Sequence, residues 1–288
     1  MKLSIVIPCL NQSALTTRVV KEILRTTDFL TSQVELLVID NGSDKPFGGF
    51  EGPFVKVIRN EKTVGVYPTF KQGFENTSGD VVAFFHSDLI IWEKDWNQRV
   101  IKEFVNDARL GMIGFIGSNE IDYCGGRGLG TTSNFQGLAT SGGEQDEYKI
   151  WRGSDAKVHG KVSDEFSRAA VVDGCSMIIR RGTWNDIGYR TDFPPHHFYD
   201  RLISTQLLEK NWHIGVLGVA CDHFSGQTVA HEQAYHDMAK EWSNKYLHQG
   251  HMVKDGDKVN WDSTIYQEAE RRWLKEYRDE KHIVPIKI

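Results

Sequence analysis

The sequence predicts an open, mostly parallel α/β sheet that is flanked by helices and followed by an α-helical C-terminal extension. Through roughly the first 90 residues, short apolar runs alternate with segments of helical periodicity. These runs are apolar at consecutive positions, as in strands that helices cover on both faces. Beyond about residue 226 the character changes to helical patterns rich in Trp, Tyr and charge. A sheet of this kind binds ligands beyond the carboxyl ends of its strands.

The elements of the N-terminal half follow from these patterns. Strands are predicted at Leu3–Ile7, Val34–Ile39, Val55–Ile58, Val81–Phe85 and Met112–Ile116. A first helix is predicted from the spacing of Leu15, Val19 and Ile23. A second is expected to begin at Pro68, because proline is tolerated in a first turn, and a third is expected to be capped by Asp95.

The pattern stops between Gly117 and Gly160, where ten of 44 residues are glycine. Long irregular segments are usually functional or disordered, so this one is either an acceptor-binding lid or a surface loop. Its Gly125–Gly130 run lacks the preceding strand and following helix that a dinucleotide-binding loop requires. Order resumes with strands at 169–172, 176–179 and 213–219 and helices around 183–187, 200–210, 230–247 and 264–281.

Composition narrows the class of protein. The chain has 288 residues, with 34 Lys and Arg against 39 Asp and Glu, and therefore a formal charge of −5. Its longest apolar runs are about five residues, whereas a membrane-spanning helix needs roughly 17 to 25. We therefore expect no transmembrane segment and a cytoplasmic location. The four cysteines, Cys9, Cys124, Cys175 and Cys221, lie far apart without a Cys-x-x-Cys pair, which is typical of free buried thiols.

Polar residues follow three of the predicted strands at their carboxyl ends. Asn11 follows the first strand, Asp40 the second and Asp88 the fourth. If these strands are neighbours, Asp40 and Asp88 reach into one crevice. Taken alone, the run Asp40-Asn41-Gly42 is more typical of a tight turn, because Asn and Gly tolerate positive φ.

Short blocks that occur in a fixed order between residues 3 and 226 point to a known family. They are Ser4-Ile5-Val6-Ile7-Pro8, Leu37 to Ser43, Asn60 with Gly65, Gly73, Ser78-Gly79-Asp80, His86-Ser87-Asp88, Asp173 to Arg181, His197-Phe198-Tyr199-Asp200 and His223-Phe224-Ser225-Gly226. Each block is common alone, but the ordered set is specific. It resembles the inverting nucleotide-sugar glycosyltransferases of family 2, which have the Rossmann-like GT-A fold.

The resemblance implies a nucleotide-sugar site. Pro8, Asn11 and Asp40 would hold the base and ribose, with the Asp40 carboxylate accepting a hydrogen bond from a ring N–H. Gly65 and Lys71 would lie beside the uridine or the diphosphate. Lys71 is equally typical of a solvated helix lysine.

The resemblance also implies a divalent metal ion, Mn²⁺ or Mg²⁺, at His86-Ser87-Asp88, where the family carries an Asp-x-Asp motif. Asp88 supplies the hard oxygen ligand that such an ion prefers, and His223 resembles the late histidine that completes the metal sphere. His86 and Ser87 are assigned to the nucleotide sugar instead, His86 contacting the ribose or lying behind the metal ligands.

Asp200 matches the aspartate that acts in the family as the catalytic base on the acceptor hydroxyl, and it is also typical of a helix N-cap. Arg201 and Leu202 follow it, where the family often has a further acidic residue.

By resemblance, Asp173 and Gly174 form the floor of the acceptor site, where glycine would let a sugar approach the backbone. Trp151, in the glycine-rich segment, is assigned to the acceptor as well.

Four of these carboxylates, those of Asp40, Asp88, Asp173 and Asp200, are therefore expected to gather in one cleft, where a divalent cation would offset their charge. The expected organisation is a catalytic domain at 1–226 and a helical extension at 227–288 that packs on it.

The expected function is metal-dependent, inverting transfer of a sugar from a nucleotide-diphosphate sugar, a UDP-sugar first, to a hydroxyl of a glycan or other acceptor. Two alternatives stay open: a nucleotide-sugar or carbohydrate binding protein without turnover, and a sugar nucleotidyltransferase. A nucleic-acid acceptor is disfavoured, because basic and acidic residues alternate along the last predicted helix. They are Arg271, Arg272, Lys275 and Arg278 among Glu268, Glu270, Glu276 and Asp279.

Overall fold

An eight-stranded sheet forms the centre of the chain in the computed structural model. The structure describes residues 1–29, 33–48, 50, 52–121, 144–145, 151–152, 163–224, 232–277 and 286–287. Most of the glycine-rich segment at 117–160 therefore lies outside the described residues, and its interpretation as a lid stays a prediction.

The secondary-structure elements are numbered in chain order. The strands are β1 Leu3–Cys9, β2 Val34–Asp40, β3 Val55–Arg59, β4 Val81–Phe85, β5 Leu89–Ile91, β6 Leu110–Gly114, β7 Gly117–Ser118, β8 Glu120–Ile121, β9 Glu144–Gln145, β10 Trp151–Arg152, β11 Ser163–Arg168, β12 Val171–Val172, β13 Ser176–Arg180, β14 His213–Gly218, β15 Cys221–His223, β16 Lys254–Asp255, β17 Lys258–Val259 and β18 Ile286–Lys287. The α-helices of the described part are α1 Ser13–Thr26, α2 Val66–Asn76, α3 Trp96–Asn106, α4 Arg181–Ile187, α5 Tyr199–Glu209, α6 Gln233–Tyr246 and α7 Trp261–Tyr277, with a 3₁₀ turn at Gln249–His251.

The order of the strands brings three predicted polar ends together. The sheet runs β11-β14-β6-β13-β4-β1-β2-β3, and β1 pairs in parallel with both β2 and β4. Its register sets Cys9 opposite Asp40, so the two strands end side by side. The predicted fold class is confirmed, with one refinement: β13 lies antiparallel between β4 and β6, and β11 is antiparallel to β14.

Side chains alternate between two cores, one on each face of the sheet. In β1, Ile5 and Ile7 enter the core beneath α1 and α3, whereas Val6 enters the core shared with α2, α4 and α5. Helix α1 joins the first core through Val19 and Ile23, as its spacing predicts. Because helices cover both faces, the strands carry apolar residues at successive positions.

Three predicted helix starts need adjustment. Helix α2 begins two residues before Pro68, which still lies in the first turn. Asp95 occupies the N-cap position of α3, but it has φ 56° and makes no side-chain capping hydrogen bond. Asp200 is the second residue of α5, after Phe198 as N-cap, so capping does not account for it.

The C-terminal helices pack on the sheet unit at two places. Trp273 of α7 is fully buried in the core beside α5, and its indole N–H lies 3.2 Å from Thr205 Oγ1. Tyr235 of α6 and Ile265 of α7 form a smaller core with Leu10, which follows β1. The proposed boundary at residue 226 lies within 225–231, outside the described residues.

Two further observations concern composition. Among the described cysteines, Cys9, Cys175 and Cys221 are buried thiols that form no disulfide bond, as predicted, while Cys124 lies outside the described residues. Among the described helices, none combines the length and the hydropathy that crossing a bilayer requires.

The packing of α2 on the sheet gives a testable consequence. A Cβ at Gly73 would lie 2.8 Å from both Phe84 Cε1 and Val6 Cγ1. We expect Gly73→Ala to lower the free energy of unfolding by about 1–3 kcal/mol through overpacking, despite the higher helix propensity of alanine. Gly182→Ala is the matched control, because a Cβ there meets nothing within 4 Å. Urea denaturation of both variants measures the difference, and equal stabilities would contradict the close packing.

Candidate functional site

A crevice opens where β1, β2 and β4 end. The residues that line it are Pro8, Cys9, Leu10, Asn41, Thr63, Gly65, Val66, His86, Ser87, Asp88, His196 and Tyr235. Of the residues assigned to the nucleotide sugar from the sequence, Pro8, Gly65, His86, Ser87 and Asp88 are therefore brought together. Asn11, Asp40 and Lys71 are not among the lining residues.

Asp40 is enclosed by its own loop rather than directed into the crevice. Its carboxylate accepts hydrogen bonds from the amides of Ser43 and Phe47, both at 3.0 Å, and from Arg59 Nη1 at 2.6 Å. Burial alone would raise the pKa of Asp40, but these hydrogen bonds and the Arg59 charge hold it below its ordinary value. The carboxylate thus shapes the turn, and the expectation that it faces the ligand needs correction.

Asn41 lines the crevice in place of Asp40. Its Oδ1 accepts from Asn60 Nδ2 at 3.0 Å and from the Val64 amide at 3.1 Å, and its Nδ2 donates to Thr63 Oγ1 at 3.0 Å. An amide carries two N–H donors, so one remains for a ligand. Sequence reasoning assigned Asp40 to the ligand and overlooked Asn41, although the two residues are adjacent at the end of β2.

Asn11 and Lys71 make their observed contacts with other residues of the chain. Asn11, at φ 55°, joins the ends of β1 and β2: its amide donates to Ser43 Oγ at 2.9 Å, and its side chain contacts Asp44 and Glu232. Lys71 forms an ion pair with Glu75 one helical turn away on the exposed side of α2. The alternative of a solvated helix lysine therefore describes its position.

The metal-ligating types converge on Asp88. One ligand atom each of His86, Asp88 and His223 lies within 4.8 Å of the others. His223 Nε2 is 3.4 Å and His86 Nδ1 3.8 Å from Asp88 Oδ1. That oxygen is buried and makes no hydrogen bond of good geometry to a described residue. Two imidazoles and one carboxylate form a ligand set that fits a divalent transition metal ion.

The electrostatics of this group suit ligation. Burial alone would raise the pKa of Asp88, but the imidazoles of His223 and His86 hold it below its ordinary value. Burial lowers the pKa of His86, although Asp88 opposes this. His86 Nε2 lies 2.8 Å from the Tyr199 hydroxyl, which leaves Nδ1 directed at Asp88. Fixing one ring nitrogen in this way orients the other toward a metal.

Two of the acceptor residues predicted from the sequence, Asp173 and Gly174, precede Cys175, whose carbonyl accepts the His86 amide. Asp173 forms a second possible ligand group with Cys175 and His223, and its Oδ1 accepts from the Cys175 amide at 2.9 Å. The space beside Gly174 is taken by Tyr199, because a Cβ there would lie 2.4 Å from the tyrosine hydroxyl oxygen. Trp151 belongs to β10, and its side chain lies outside the described part of the chain.

Asp200 is buried at the start of α5, directly after Tyr199. Its carboxylate contacts Arg201 Nη1 through both oxygens, at 2.9 and 3.1 Å, and the Arg201 guanidinium lies over the Phe198 ring. Asp88 and Asp173 each form a possible ligand group with His223, and Asp200 follows Tyr199, whose hydroxyl contacts His86. Three of the four expected carboxylates are therefore grouped around these histidines. Asp40 does not join them.

Two lining residues come from elements that sequence reasoning did not connect with the site. His196 precedes α5, and Tyr235 belongs to α6 near the C-terminus. The Tyr235 hydroxyl hydrogen-bonds Asp262 and lies 3.2 Å from His197 Nε2, which is 2.7 Å from the same carboxylate. No local pattern signals Tyr235, because its approach depends on the packing of the extension.

The family pattern of glycosyl transferase family 2 matches residues 4–184, more than half of the chain. The chain belongs to glycosyl transferase family 2. The match covers β1 through α4 and thus the strand ends, His86 and Asp88, but neither Asp200 nor His223. No curated protein matches the chain in sequence.

Solved structures agree on a GT-A glycosyltransferase fold. GalNAc-T7 with UDP, GalNAc and Mn²⁺ is 15% identical at TM-score 0.56, over 96% of this chain and 56% of its own. Mannosyltransferase PcManGT from Pyrobaculum calidifontis, with GDP-Man and Mn²⁺, is 12% identical with a TM-score of 0.53, and the match covers 84% of this chain and 61% of that chain. S. aureus TarS with UDP-GlcNAc is 16% identical with a TM-score of 0.53, and the match covers 96% of this chain and 73% of that chain. This family 2 chain thus spans less than two thirds of the first two structures.

The enclosure of Asp40 predicts a pH-dependent stability. Because its folded-state pKa is depressed, the carboxylate stabilises the protein fully above its unfolded pKa of about 4, and this is lost as the pH falls through the folded value. Asp40→Asn should therefore cost about 1–3 kcal/mol at pH 7, and the difference from wild type should shrink progressively as the pH falls below about 4. Thermal unfolding across pH tests this. Asp44→Asn, on an exposed carboxylate of the same loop, should behave like wild type, and an equal loss in both variants contradicts the assignment.

Proposed function

We propose that the chain transfers a sugar with inversion from a nucleotide-diphosphate sugar to an acceptor hydroxyl, with the help of a divalent metal ion. The observation that carries the proposal is the group of His86, Asp88 and His223 at the crevice, next to the first turn of α5, which bears Asp200. Family membership supports glycosyl transfer, and the similar structures include complexes with UDP, GDP-Man, UDP-GlcNAc and Mn²⁺.

The donor would lie along the crevice. Its nucleoside would rest near Pro8 and Asn41, and its diphosphate near Asp88 and Gly65. Asp88 and His223 would hold the metal ion, and the approach of His86 Nδ1 to Asp88 supports His86 as a third ligand in place of the predicted ribose contact. A bound ion would supply positive charge that stabilises the leaving diphosphate.

The transfer itself needs one base. The Asp200 carboxylate would take the proton of the acceptor hydroxyl while the oxygen forms a bond to the anomeric carbon and the bond from that carbon to the diphosphate oxygen breaks. The nucleoside diphosphate leaves with the electron pair of the broken bond. Tyr199, held between Gly174 and His86, fixes the start of α5 and so the place of Asp200.

One observation favours a second candidate function, nucleotide-sugar binding without turnover. Arg201 contacts both oxygens of Asp200 and competes with an acceptor hydroxyl for them. For transfer, the hydroxyl must replace one of these contacts. The family membership gives the nucleotidyltransferase alternative no comparable support.

Titration of UDP with and without Mn²⁺ tests the proposal, with GDP as a parallel ligand. We expect binding that Mn²⁺ strengthens, and we expect Asp88→Ala to remove this effect because the ion loses its only proposed carboxylate ligand.

Asp200→Asn should bind UDP like wild type, but its turnover should fall at least about 100-fold. Turnover is measured as release of nucleoside diphosphate from donor sugars offered with an acceptor panel. Asp237→Asn, on an exposed carboxylate of α6, is the matched control.

The outcomes separate the candidates. Absence of nucleotide binding in both metal conditions contradicts the donor site. Metal-dependent binding without turnover in wild type, across donors and acceptors, supports the binding protein instead.

A further inference from the structure

One wall of the crevice has no role in the proposed transfer. His196 and Tyr235 belong to it, and Tyr235 packs beside Leu10, which follows β1. The pattern of the family ends at residue 184, so neither residue belongs to the matched region. Their side chains bring one imidazole and one phenol to a site otherwise built from strand ends.

The His196 ring is held without using its polar atoms. It lies edge-on to His197 at 4.6 Å and to Tyr235 at 4.9 Å, measured between ring centroids. Within the described residues, neither of its nitrogens takes part in a hydrogen bond. A neutral imidazole has one N–H donor and one acceptor, so both remain available to a ligand in the crevice that His196 lines.

Three contacts fix the segment that carries this ring. Tyr235 and His197 both hold the Asp262 carboxylate, and these hydrogen bonds lower the pKa of Asp262 to about 2 although burial alone would raise it. The Pro195 carbonyl accepts the Tyr67 amide at 3.0 Å. His197 and Phe198 have φ 62° and 55°, a conformation that non-glycine residues rarely adopt and that persists only when the surroundings enforce it.

The surroundings of His196 suit the diphosphate rather than the nucleoside. Gly65 passes so close to Pro195 that a Cβ would lie 2.6 Å from its carbonyl oxygen, which sets His196 beside the start of α2. The first turn of a helix carries positive potential. His196 also lines the same crevice as His86 and Asp88, two of the proposed metal ligands.

We propose that His196 binds the donor by donating an imidazole N–H to an oxygen of its diphosphate, with Tyr235 and Asp262 as the residues that position it. This rests on the proposed nucleotide-sugar site. Negative charge grows on the diphosphate as it leaves, so the same hydrogen bond becomes stronger during transfer. The helical extension thereby takes part in the donor site through α6 and α7.

The test compares a nucleoside with its diphosphate, in the full chain with Mn²⁺. Isothermal titration measures UDP, ligand-observed NMR measures uridine, and GDP with guanosine forms a parallel pair. We expect His196→Ala to weaken UDP about 10-fold or more and to leave uridine within about twofold, since a hydrogen bond to a charged group is lost. His196→Asn keeps an N–H donor and should recover part of the loss.

His248→Ala is the matched control, because this histidine lies in the extension between α6 and the 3₁₀ turn and outside the crevice. Unchanged UDP affinity in His196→Ala overturns the inference, and so does an equal loss for uridine and UDP, which would mean that the ring only shapes the crevice. If thermal unfolding shows that His196→Ala does not fold, His196→Phe carries the same comparison, because it keeps an aromatic ring but has no N–H donor. If wild type binds no nucleotide, it is the proposed function that fails.

Discussion

Asp88 is a carboxylate with a residue exposure of only 7%, and the site is arranged around its charge. A buried carboxylate is costly unless opposite charge or hydrogen bonds compensate it. Here the nearest groups are two imidazoles, one from the segment after β4 and one from β15, which pairs with β5 through His223 and Leu89. Such an arrangement leaves the oxygen available to a cation, which is the physical basis of the proposed metal site.

The positions of the other functional groups depend on their contacts with the histidines around Asp88. Tyr199 reaches His86 because residue 174 has no side chain, and this contact holds the first turn of α5 with Asp200. The loop before α5 is in turn tied to α6 and α7 through Asp262. The extension and the strand ends therefore act on one crevice, although the described residues leave the connection at 225–231 open.

Much of this could be predicted from the sequence because it is local. Consecutive apolar residues identify β1, β2 and β4, and the polar residues after them identify the edge at which ligands bind. Whether Asp40 or Asn41 faces the crevice could not be predicted, since it depends on Arg59 and on loop amides that satisfy Asp40 first. The role of Tyr235 depends on contacts between residues far apart in the sequence.

The short strands also could not be predicted from local sequence. β5 and β15 have three residues each, too few for a periodic pattern, and exist because they pair with each other. That pairing delivers His223 to Asp88. Lys71 shows the opposite case, because its ion-pair partner Glu75 is local and lies one turn away on the same helix.

The central claim is that Asp88, His86 and His223 hold a metal ion against the diphosphate of a donor. Anomalous diffraction from crystals of the protein grown with Mn²⁺ and UDP tests it most directly. The account predicts a single strong peak within bonding distance of Asp88 and His223, with the UDP diphosphate beside it in the crevice. A manganese peak elsewhere, or UDP bound away from Asp88, would contradict it.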